Sequence, residues 1–304
     1  MKTKLLSLIL LLSLLISGCA GGSVLAPTET AETEEANLIQ AETVPKTEEA
    51  ETQPSQEPET EDVIPTALRL NEEEKLARNA KLAEALRGKK VSFLGDSIST
   101  FEGYSDNPAY NTTLAGAKVY YKDNKYGFSD VNKTWWMRIV NATGMELLVN
   151  NAWSGDRVST RGAARAKQLH NNDGTKPEVI VVYLGINDFR KGATPEAFKT
   201  AYDTMIGGMK EAYPDAEVYL CDLVYSSGIN TPGYRPKEVV KINAVIAEIA
   251  QKYQATVVDL YNGTGITWKN LAEHMCDKVL HPNYQGMDVM AECILSAMAE
   301  NHAQ

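Results

Sequence analysis

The chain has few of the residues from which metal and redox sites are built, since cysteine and histidine each occur four times in 304 residues. None of them stands at the spacings that bind zinc, and the His-Glu-x-x-His sequence of zinc proteases is absent. We therefore expect no metal ion, and no motif calls for an organic cofactor. Clusters of lysine and arginine are also missing, which argues against nucleic acid as a partner.

Long apolar runs are equally scarce, and the longest lies near the start of the chain, from Leu5 to Ile16. Lys2 and Lys4 precede it, and it is shorter than the ~20 residues of a bilayer span. Small residues follow and lead to Cys19, as in the lipobox of bacterial lipoproteins. The pattern predicts a lipoprotein signal peptide over residues 1–19, with lipid attached to Cys19. The protein would then be exported and anchored to the outer face of the bacterial cell membrane. An ordinary secretory signal and an uncleaved anchor are the alternatives.

Aromatic residues are absent from residues 20–65, which hold twelve acidic side chains and one lysine. Such a segment has too little apolar surface to fold and repels itself, so we predict a disordered acidic linker rich in Thr, Glu and Pro. It carries a net charge of −11, whereas residues 66–304 carry −1. The low isoelectric point therefore belongs to the linker. Residues 66–304 are enough for one α/β domain with a large core.

Residues 66–304 alternate between two kinds of segment. Five short, continuously apolar runs have the pattern of parallel strands buried on both faces: Val91–Gly95, Leu147–Asn151, Val179–Gly185, Glu217–Leu223 and Thr256–Leu260. Helix-like stretches precede, separate and follow them: Asn71–Leu86, Trp135–Thr143, Arg157–Leu169, Pro195–Ala212, Lys237–Tyr253 and Gln285–Ala299. This alternation predicts right-handed βαβ units, and hence an α/β fold with a three-layer α/β/α sandwich around a five-stranded parallel sheet.

Four polar blocks stand where the predicted elements end: Gly95-Asp96-Ser97, Ser154-Gly155, Gly185-Ile186-Asn187-Asp188 and His281-Pro282-Asn283. Ligands of open α/β sheets bind at the carboxyl edge of the strands, so the blocks predict one active site. A serine becomes a nucleophile when a histidine with an acidic neighbour removes its proton, which points to Ser97 and His281. Helix capping by Ser97 and ordinary turn chemistry elsewhere are the structural alternatives.

In order and spacing, the four blocks resemble the SGNH (GDSL-type) hydrolase superfamily, named after its Ser, Gly, Asn and His. The resemblance covers Lys90 to the C-terminus and implies a flavodoxin-like sheet and a serine esterase that hydrolyses carboxylic esters. It implies that Ser97 is the nucleophile and His281 the base. The oxyanion hole would combine the backbone amides of Ser97 and Gly155 with the side-chain amide of Asn187. The turn lacks the second glycine of Gly-x-Ser-x-Gly, which disfavours an α/β-hydrolase.

The acid of the site departs from the family pattern. Related sequences place an aspartate three residues before the histidine, where this chain has Lys278, and Asp277 stands four residues before His281. Spacings of three and four can both bring two side chains together, so we predict that Asp277 orients the imidazole. A backbone carbonyl and Glu273 are the alternative partners.

The remaining cysteines have no shared motif. Cys221 lies in a strand-like run and is predicted to be in the core. Cys276 and Cys293 either pair or remain thiols. Once Cys19 carries lipid, the odd number that remains leaves at least one free thiol.

Residues 101–133 lack a clear period, and a long segment of this kind is either a packed Ω-like loop or a substrate-binding wall. Its aromatic residues include Tyr104, Tyr110, Tyr120, Tyr121, Tyr126 and Phe128. Aromatic faces suit sugar rings, and the protein is expected outside the cell. We therefore predict that the substrate carries short acyl groups, such as O-acetyl, on carbohydrate or a cell-wall polymer. A lysophospholipase or lipase is the alternative, and a non-catalytic surface binding module is a third.

Overall fold

A computed structural model describes residues 64–105, 118–228 and 238–303 of the chain. The predicted signal peptide, Cys19 and nearly all of the predicted linker lie outside the described residues. None of the helices within these three stretches combines the length and the hydrophobicity that a membrane span requires.

The sheet has five strands in the order β2-β1-β3-β4-β5, and every pair of neighbours is parallel. The strands are β1 (Lys90–Gly95), β2 (Glu146–Ala152), β3 (Val179–Tyr183), β4 (Glu217–Cys221) and β5 (Thr256–Val258). Every residue of the central strand β3 is buried, as the continuous apolar run predicted. The predicted α/β fold with a five-stranded parallel sheet is confirmed, and its strand order is that of flavodoxin-like proteins.

Strands β3, β4 and β5 end two residues earlier than the sequence predicted. Leu184, Leu223 and Leu260 lie just past these ends and are fully buried, so they belong to the core without joining the ladder. Just past β5, the backbone amides bond to a side chain instead of a neighbouring strand. The Oδ1 of Asp222 accepts hydrogen bonds from the amides of Leu260 (2.7 Å) and Tyr261 (2.9 Å). Apolar character therefore predicts burial, whereas the strand end depends on which partner each amide finds.

Helices cover both faces of the sheet. On one face α1 (Glu72–Leu86), α2 (Trp135–Thr143) and α8 (Tyr284–Asn301) pack together. On the other lie α3 (Ala163–Arg165), α5 (Pro195–Ala212) and α6 (Val239–Lys252). Two short helices that the sequence did not predict, α4 (Ile186–Arg190) and α7 (Leu271–His274), lie close to the polar blocks in the chain.

Helices α1, α2 and α5 begin at local capping signals. Asn71 caps α1, since its Oδ1 accepts a hydrogen bond from the amide of Glu74 at 3.0 Å while the Glu74 carboxylate accepts the amide of Asn71 at 2.8 Å. The hydroxyls of Thr134 and Thr194 cap α2 and α5. These side chains satisfy amides that have no partner inside the helix, so the helix starts are fixed locally.

The predicted helix Arg157–Leu169 forms over Val158–Arg165 and ends four residues earlier than predicted. It consists of a π-helical turn at Val158–Gly162 followed by the short α3. The Asp188 carboxylate takes the amides of Val158 (2.8 Å) and Ser159 (3.0 Å), and the amide of Leu169 donates to the Tyr213 hydroxyl at 2.7 Å. The amides of Val158 and Ser159 open the helix and have no partner within it, so Asp188 caps its start, and the bond of Leu169 to Tyr213 lies beyond its end. A periodic pattern cannot reveal such distant partners.

The three cysteines in the described residues, Cys221, Cys276 and Cys293, are free thiols. Cys221 is fully buried in β4, as predicted. Burial raises the pKa of Cys293 to about 12 and that of Cys276 to about 11, so both thiols stay protonated near neutral pH.

Gly286 in the first turn of α8 offers a test of this packing. A Cβ there would lie 2.3 Å from the His274 carbonyl oxygen and 2.8 Å from Pro282 Cβ, so the backbone would have to move. We expect Gly286→Ala to lower the free energy of unfolding by about 2 kcal/mol, as overpacking does. The measurement is urea denaturation.

Gly208 in α5 is the matched control, because a Cβ there would meet only the flexible end of the Lys167 side chain. Gly208→Ala should be neutral or slightly stabilising, since alanine favours a helix interior. Equal losses in the two variants would show that the contact of α8 with the His274 carbonyl is not a tight one.

Candidate active site

Ser97 lies at the carboxyl end of β1, in the 3₁₀ turn Ser97–Ser99. The turn is capped by Asp96, whose Oδ1 accepts the amide of Ile98 at 3.0 Å. Gly95 permits the sharp turn because a Cβ there would lie 2.2 Å from the Ser99 hydroxyl. The side chain of Ser97 is thereby held at the sheet edge, where the site was predicted.

His281 and Asp277 lie on a narrow loop between α7 and α8. Met275 and Pro282 form an antiparallel bridge across its base, and the amide of Cys276 donates to the carbonyl of His281 at 2.8 Å. The loop is therefore closed by backbone bonds, which brings its two polar side chains to one point.

The structure brings Ser97, His281 and Asp277 into one hydrogen-bonded row. The Nε2 of His281 lies 3.0 Å from the Ser97 hydroxyl, and its Nδ1 lies 2.6 Å from Asp277 Oδ2. Lys278 has a left-handed φ of 59°, and this turn in the backbone accommodates the extra residue between acid and base. The spacing of four is thus compatible with the contact predicted for Asp277.

Backbone amides bind Asp277 in addition to the imidazole of His281. Its Oδ1 accepts the amides of Val279 (2.9 Å), Leu280 (2.8 Å) and His281 (3.1 Å). Burial alone raises a carboxyl pKa, but the bond with His281 and these amides outweigh it and hold the pKa of Asp277 well below its usual range. Asp277 is therefore an anion near neutral pH. Glu273, the alternative acid, is exposed on α7.

The imidazole of His281 is kept in its neutral form. Burial lowers its pKa below the usual 6.5, although Asp277 works in the opposite direction, and the positive charges of Lys125 and Arg190 lower it further. A neutral imidazole can accept a proton at Nε2 while Nδ1 donates to Asp277.

Gly155 and Asn187 lie at the same edge of the sheet. Gly155 has a φ of 78°, and a Cβ would meet none of the described residues within 4 Å, so the backbone conformation is what favours glycine here. The side-chain amide of Asn187 donates to the carbonyl of Asp156 at 2.9 Å and lies 3.5 Å from Asp96 Oδ2. Asn187 thus connects the segment that holds Gly155 to the turn that holds Ser97. Their role in an oxyanion hole stays a prediction.

The sequence did not reveal a buried polar cluster beneath these turns. Arg165 donates to the carbonyl of Gly95 at 2.7 Å, to Asn151 Oδ1 at 3.1 Å and to the carboxylate of Asp156. Asp96 beside it is fully buried, which raises its pKa to about 7. The only signal was an arginine on the apolar side of a predicted helix, which does not identify its partners.

The described part of the aromatic segment 101–133 both fills the core and borders the site; residues 106–117, and therefore Tyr110, lie outside the described residues. Tyr121 and Phe128 are buried in the core, as a packed loop requires. Tyr120 instead lies flat on the imidazole of His281, with ring centres 3.5 Å apart and planes 9° apart. The segment therefore forms part of the wall of the site.

The comparisons with known proteins agree with this arrangement. The family model of the GDSL-like lipase/acylhydrolase family matches residues 93–289, well over half of the chain. The chain therefore belongs to that family, and the protein is a serine ester hydrolase with the SGNH fold. A search of curated proteins found no match.

Solved structures share the fold at low sequence identity. A protein from Parabacteroides merdae described as a GDSL-like lipase is 17% identical, with a TM-score of 0.52 over 70% of this chain and 97% of its own. A protein from Lactobacillus plantarum is 18% identical, with a TM-score of 0.51 over 69% and 96%. A variant of an acetyl xylan esterase from Geobacillus stearothermophilus is 18% identical, with a TM-score of 0.50 over 70% and 95%.

Asp277→Asn tests the acid. The asparagine keeps an oxygen for the three backbone amides, but its NH₂ group would face Nδ1 and force the wrong tautomer. We expect kcat for an aryl ester to fall roughly 10⁴-fold while the fold is retained, as judged by circular dichroism.

Glu273→Gln is the matched control, because this carboxylate is exposed on α7, and its kcat should stay within about twofold of the wild type. The reverse outcome, a large loss for Glu273→Gln and none for Asp277→Asn, would identify Glu273 as the acid.

Proposed function

We propose that the protein is an exported, lipid-anchored esterase that removes short acyl groups, such as O-acetyl, from carbohydrate or a cell-wall polymer, with Ser97, His281 and Asp277 as its catalytic triad. The observation that carries the proposal is the unbroken row of hydrogen bonds from Ser97 through His281 to Asp277, at 3.0 and 2.6 Å. A serine that only caps a turn has no need of a buried, neutral imidazole at its hydroxyl.

The proposed reaction has two halves. The Ser97 oxygen attacks the ester carbonyl as Nε2 of His281 takes its proton, and the resulting imidazolium returns that proton to the departing alcohol. Water, activated by the same imidazole, then releases the acid from the acyl-serine. Asp277 keeps the imidazole in the productive tautomer and stabilises its charge.

Charge on the carbonyl oxygen would be stabilised by the amides of Ser97 and Gly155 and the side chain of Asn187. Each such donor is typically worth about 3 kcal/mol of transition-state stabilisation. The left-handed φ of Gly155 supports this assignment, since it turns the backbone at the exposed edge of the sheet.

A short acyl group on a sugar is supported by the surroundings of His281. Tyr120 lies on the imidazole, the exposed Tyr126 stacks on Tyr120, and Lys125 and Arg190 act on the imidazole as positive charges. Aromatic faces and hydrogen-bonding cations suit a polar ring better than a long acyl chain. The esterase of similar fold from Geobacillus is named for acetyl xylan.

A lipase or lysophospholipase is the second candidate, and the apolar run ahead of Cys19 favours it mildly, because a lipid anchor would place the enzyme at a membrane.

Covalent labelling tests the nucleophile. A fluorophosphonate probe should label the wild-type protein, and Ser97→Ala should abolish the labelling, as measured by intact-protein mass spectrometry. Ser99→Ala is the matched control from the same turn, since the Ser99 hydroxyl is buried and has no hydrogen-bond partner among the described residues. It should label like the wild type. Labelling that persists in Ser97→Ala would reject Ser97 as the nucleophile.

Acyl length tests the substrate class. We expect kcat/KM for an aryl acetate to exceed that for an aryl palmitate, because each added methylene gains its ~0.8 kcal/mol only when an apolar wall covers it. Release of acetate from acetylated xylan or acetylated peptidoglycan would then identify the polymer. A kcat/KM that rises steadily beyond butyrate would favour the lipase.

The anchor is tested at Cys19. The wild-type protein expressed in bacteria should fractionate with the membrane and incorporate labelled palmitate. Cys19→Ser should lose the label, because a hydroxyl does not form the thioether to the lipid. A Cys19→Ser protein that still incorporates palmitate would contradict the lipobox interpretation.

A further inference from the structure

Tyr120 is tied to the turn that holds the nucleophile. Its backbone amide donates to the Thr100 hydroxyl at 2.9 Å, and that hydroxyl donates to the carbonyl of Ser97 at 2.8 Å. Its ring lies face to face with the imidazole of His281, at 3.5 Å between ring centres. One residue thus contacts the base through its side chain and the nucleophile turn through its backbone.

The ring of Tyr120 is itself held in place. The ring of Tyr121 meets it edge-on, at 4.9 Å and 78°, and the hydroxyl of Tyr121 is fixed by a bond to the carbonyl of Pro282 at 2.8 Å. Because the imidazole covers one face, the ammonium of Lys125, 4.1 Å from the ring centre, lies over the other. The order is therefore imidazole, phenol ring, ammonium.

We propose that Tyr120 is a positioning residue for the base: its ring face holds the His281 imidazole in the plane from which Nε2 reaches Ser97, and it stabilises the imidazolium that forms when Ser97 loses its proton. The inference rests on the proposed function and adds a residue to its machinery. The bond to Asp277 fixes one ring nitrogen but leaves the ring free to tilt, and a flat stack removes that freedom. A π face attracts a cation more strongly than a neutral ring.

The phenol hydroxyl has no part in this role. Burial raises the pKa of Tyr120 well above its usual value, so the hydroxyl stays protonated and gives the site neither an acid nor a base near neutral pH. The ring face, and not the hydroxyl, is therefore the group to be tested.

Charged groups face His281 from several elements. Asp277 bonds to the imidazole from the same loop. Lys125, in the segment of Tyr120, and Arg190, at the end of α4, are positive charges that lower the pKa of His281. The nearby thiol of Cys276 is neutral, because burial raises its pKa to about 11. Lys125 opposes the protonated imidazole, so removing its charge should raise the pKa of His281.

The test compares Tyr120→Leu, which removes the ring, with Tyr120→Phe, which keeps the ring and loses the hydroxyl. We expect Tyr120→Leu to lower kcat for an aryl acetate roughly tenfold with little change in KM, and Tyr120→Phe to stay within about threefold of the wild type. Trp268→Leu is the control for the loss of an aromatic ring, since Trp268 is exposed and lies outside the residues assigned to the site. It should keep the wild-type kcat.

Proton NMR of the imidazoles gives a readout that does not depend on activity. The ring protons of His281 should resonate upfield in the wild type and in Tyr120→Phe and lose that shift in Tyr120→Leu, with His281→Gln to assign the signals. In Lys125→Gln, titration should give a higher pKa for His281, and the acid limb of kcat/KM should move to higher pH. The measurements on the wild type, Tyr120→Phe and Lys125→Gln can be interpreted even if Tyr120→Leu does not fold.

The outcomes separate this inference from the proposed function. A wild-type kcat in a folded Tyr120→Leu protein, or the absence of the upfield shift in the wild type, would overturn the role of Tyr120 alone. An equal loss in Tyr120→Phe and Tyr120→Leu would also overturn it, because the hydroxyl would then be the active group. The absence of any hydrolysis that depends on Ser97 would reject the proposed function, and the catalytic role of Tyr120 with it.

Discussion

The bond between Ser97 and His281 joins residues 184 positions apart, and the site exists only because the loop that carries His281 is fixed in place. Asn283 fixes that loop through its hydrogen bonds. It caps α8 through its side-chain oxygen, donates its side-chain amide to the carbonyl of Glu273 at 2.7 Å, and donates its backbone amide to the carbonyl of His274 at 2.8 Å. A histidine on a mobile loop would reach the serine only part of the time. Here helix capping and loop closure share one residue, so the position of His281 depends on the start of a helix.

The Ser97 side of the site depends on buried charge. Arg165 and Asp156 form an ion pair away from water, an arrangement whose desolvation cost is offset only when the remaining donors also find partners. Arg165 meets that condition by bonding to the carbonyls of Gly95 and Asn151, at the ends of β1 and β2. The pair therefore gives the sheet edge a fixed shape at the point where Ser97 leaves the strand. Asp96, buried beside it, connects the same edge to Asn187.

Much of the fold could be predicted because its signals are local. Continuous apolar runs identified all five strands, since strands buried on both faces have no polar side to break the pattern. The start of α1 could be predicted from Asn71, because its capping bond lies within four residues of the chain. The helix predicted at Arg157–Leu169 ends early, at Arg165, and beyond that point the amide of Leu169 bonds to the distant Tyr213. Local periodicity carries no information about such partners.

The sequence by itself determined the family, the parallel sheet and the identity of Ser97, Gly155, Asn187 and His281 as candidates, because each belongs to a short block at the end of an element. Tertiary structure alone decided which carboxylate meets the imidazole, since that depends on the left-handed turn at Lys278. It also decided that Tyr120 lies on the imidazole of His281 while the adjacent Tyr121 fills the core. These outcomes follow from packing between segments far apart in the chain, and no local pattern records which side chain will face which.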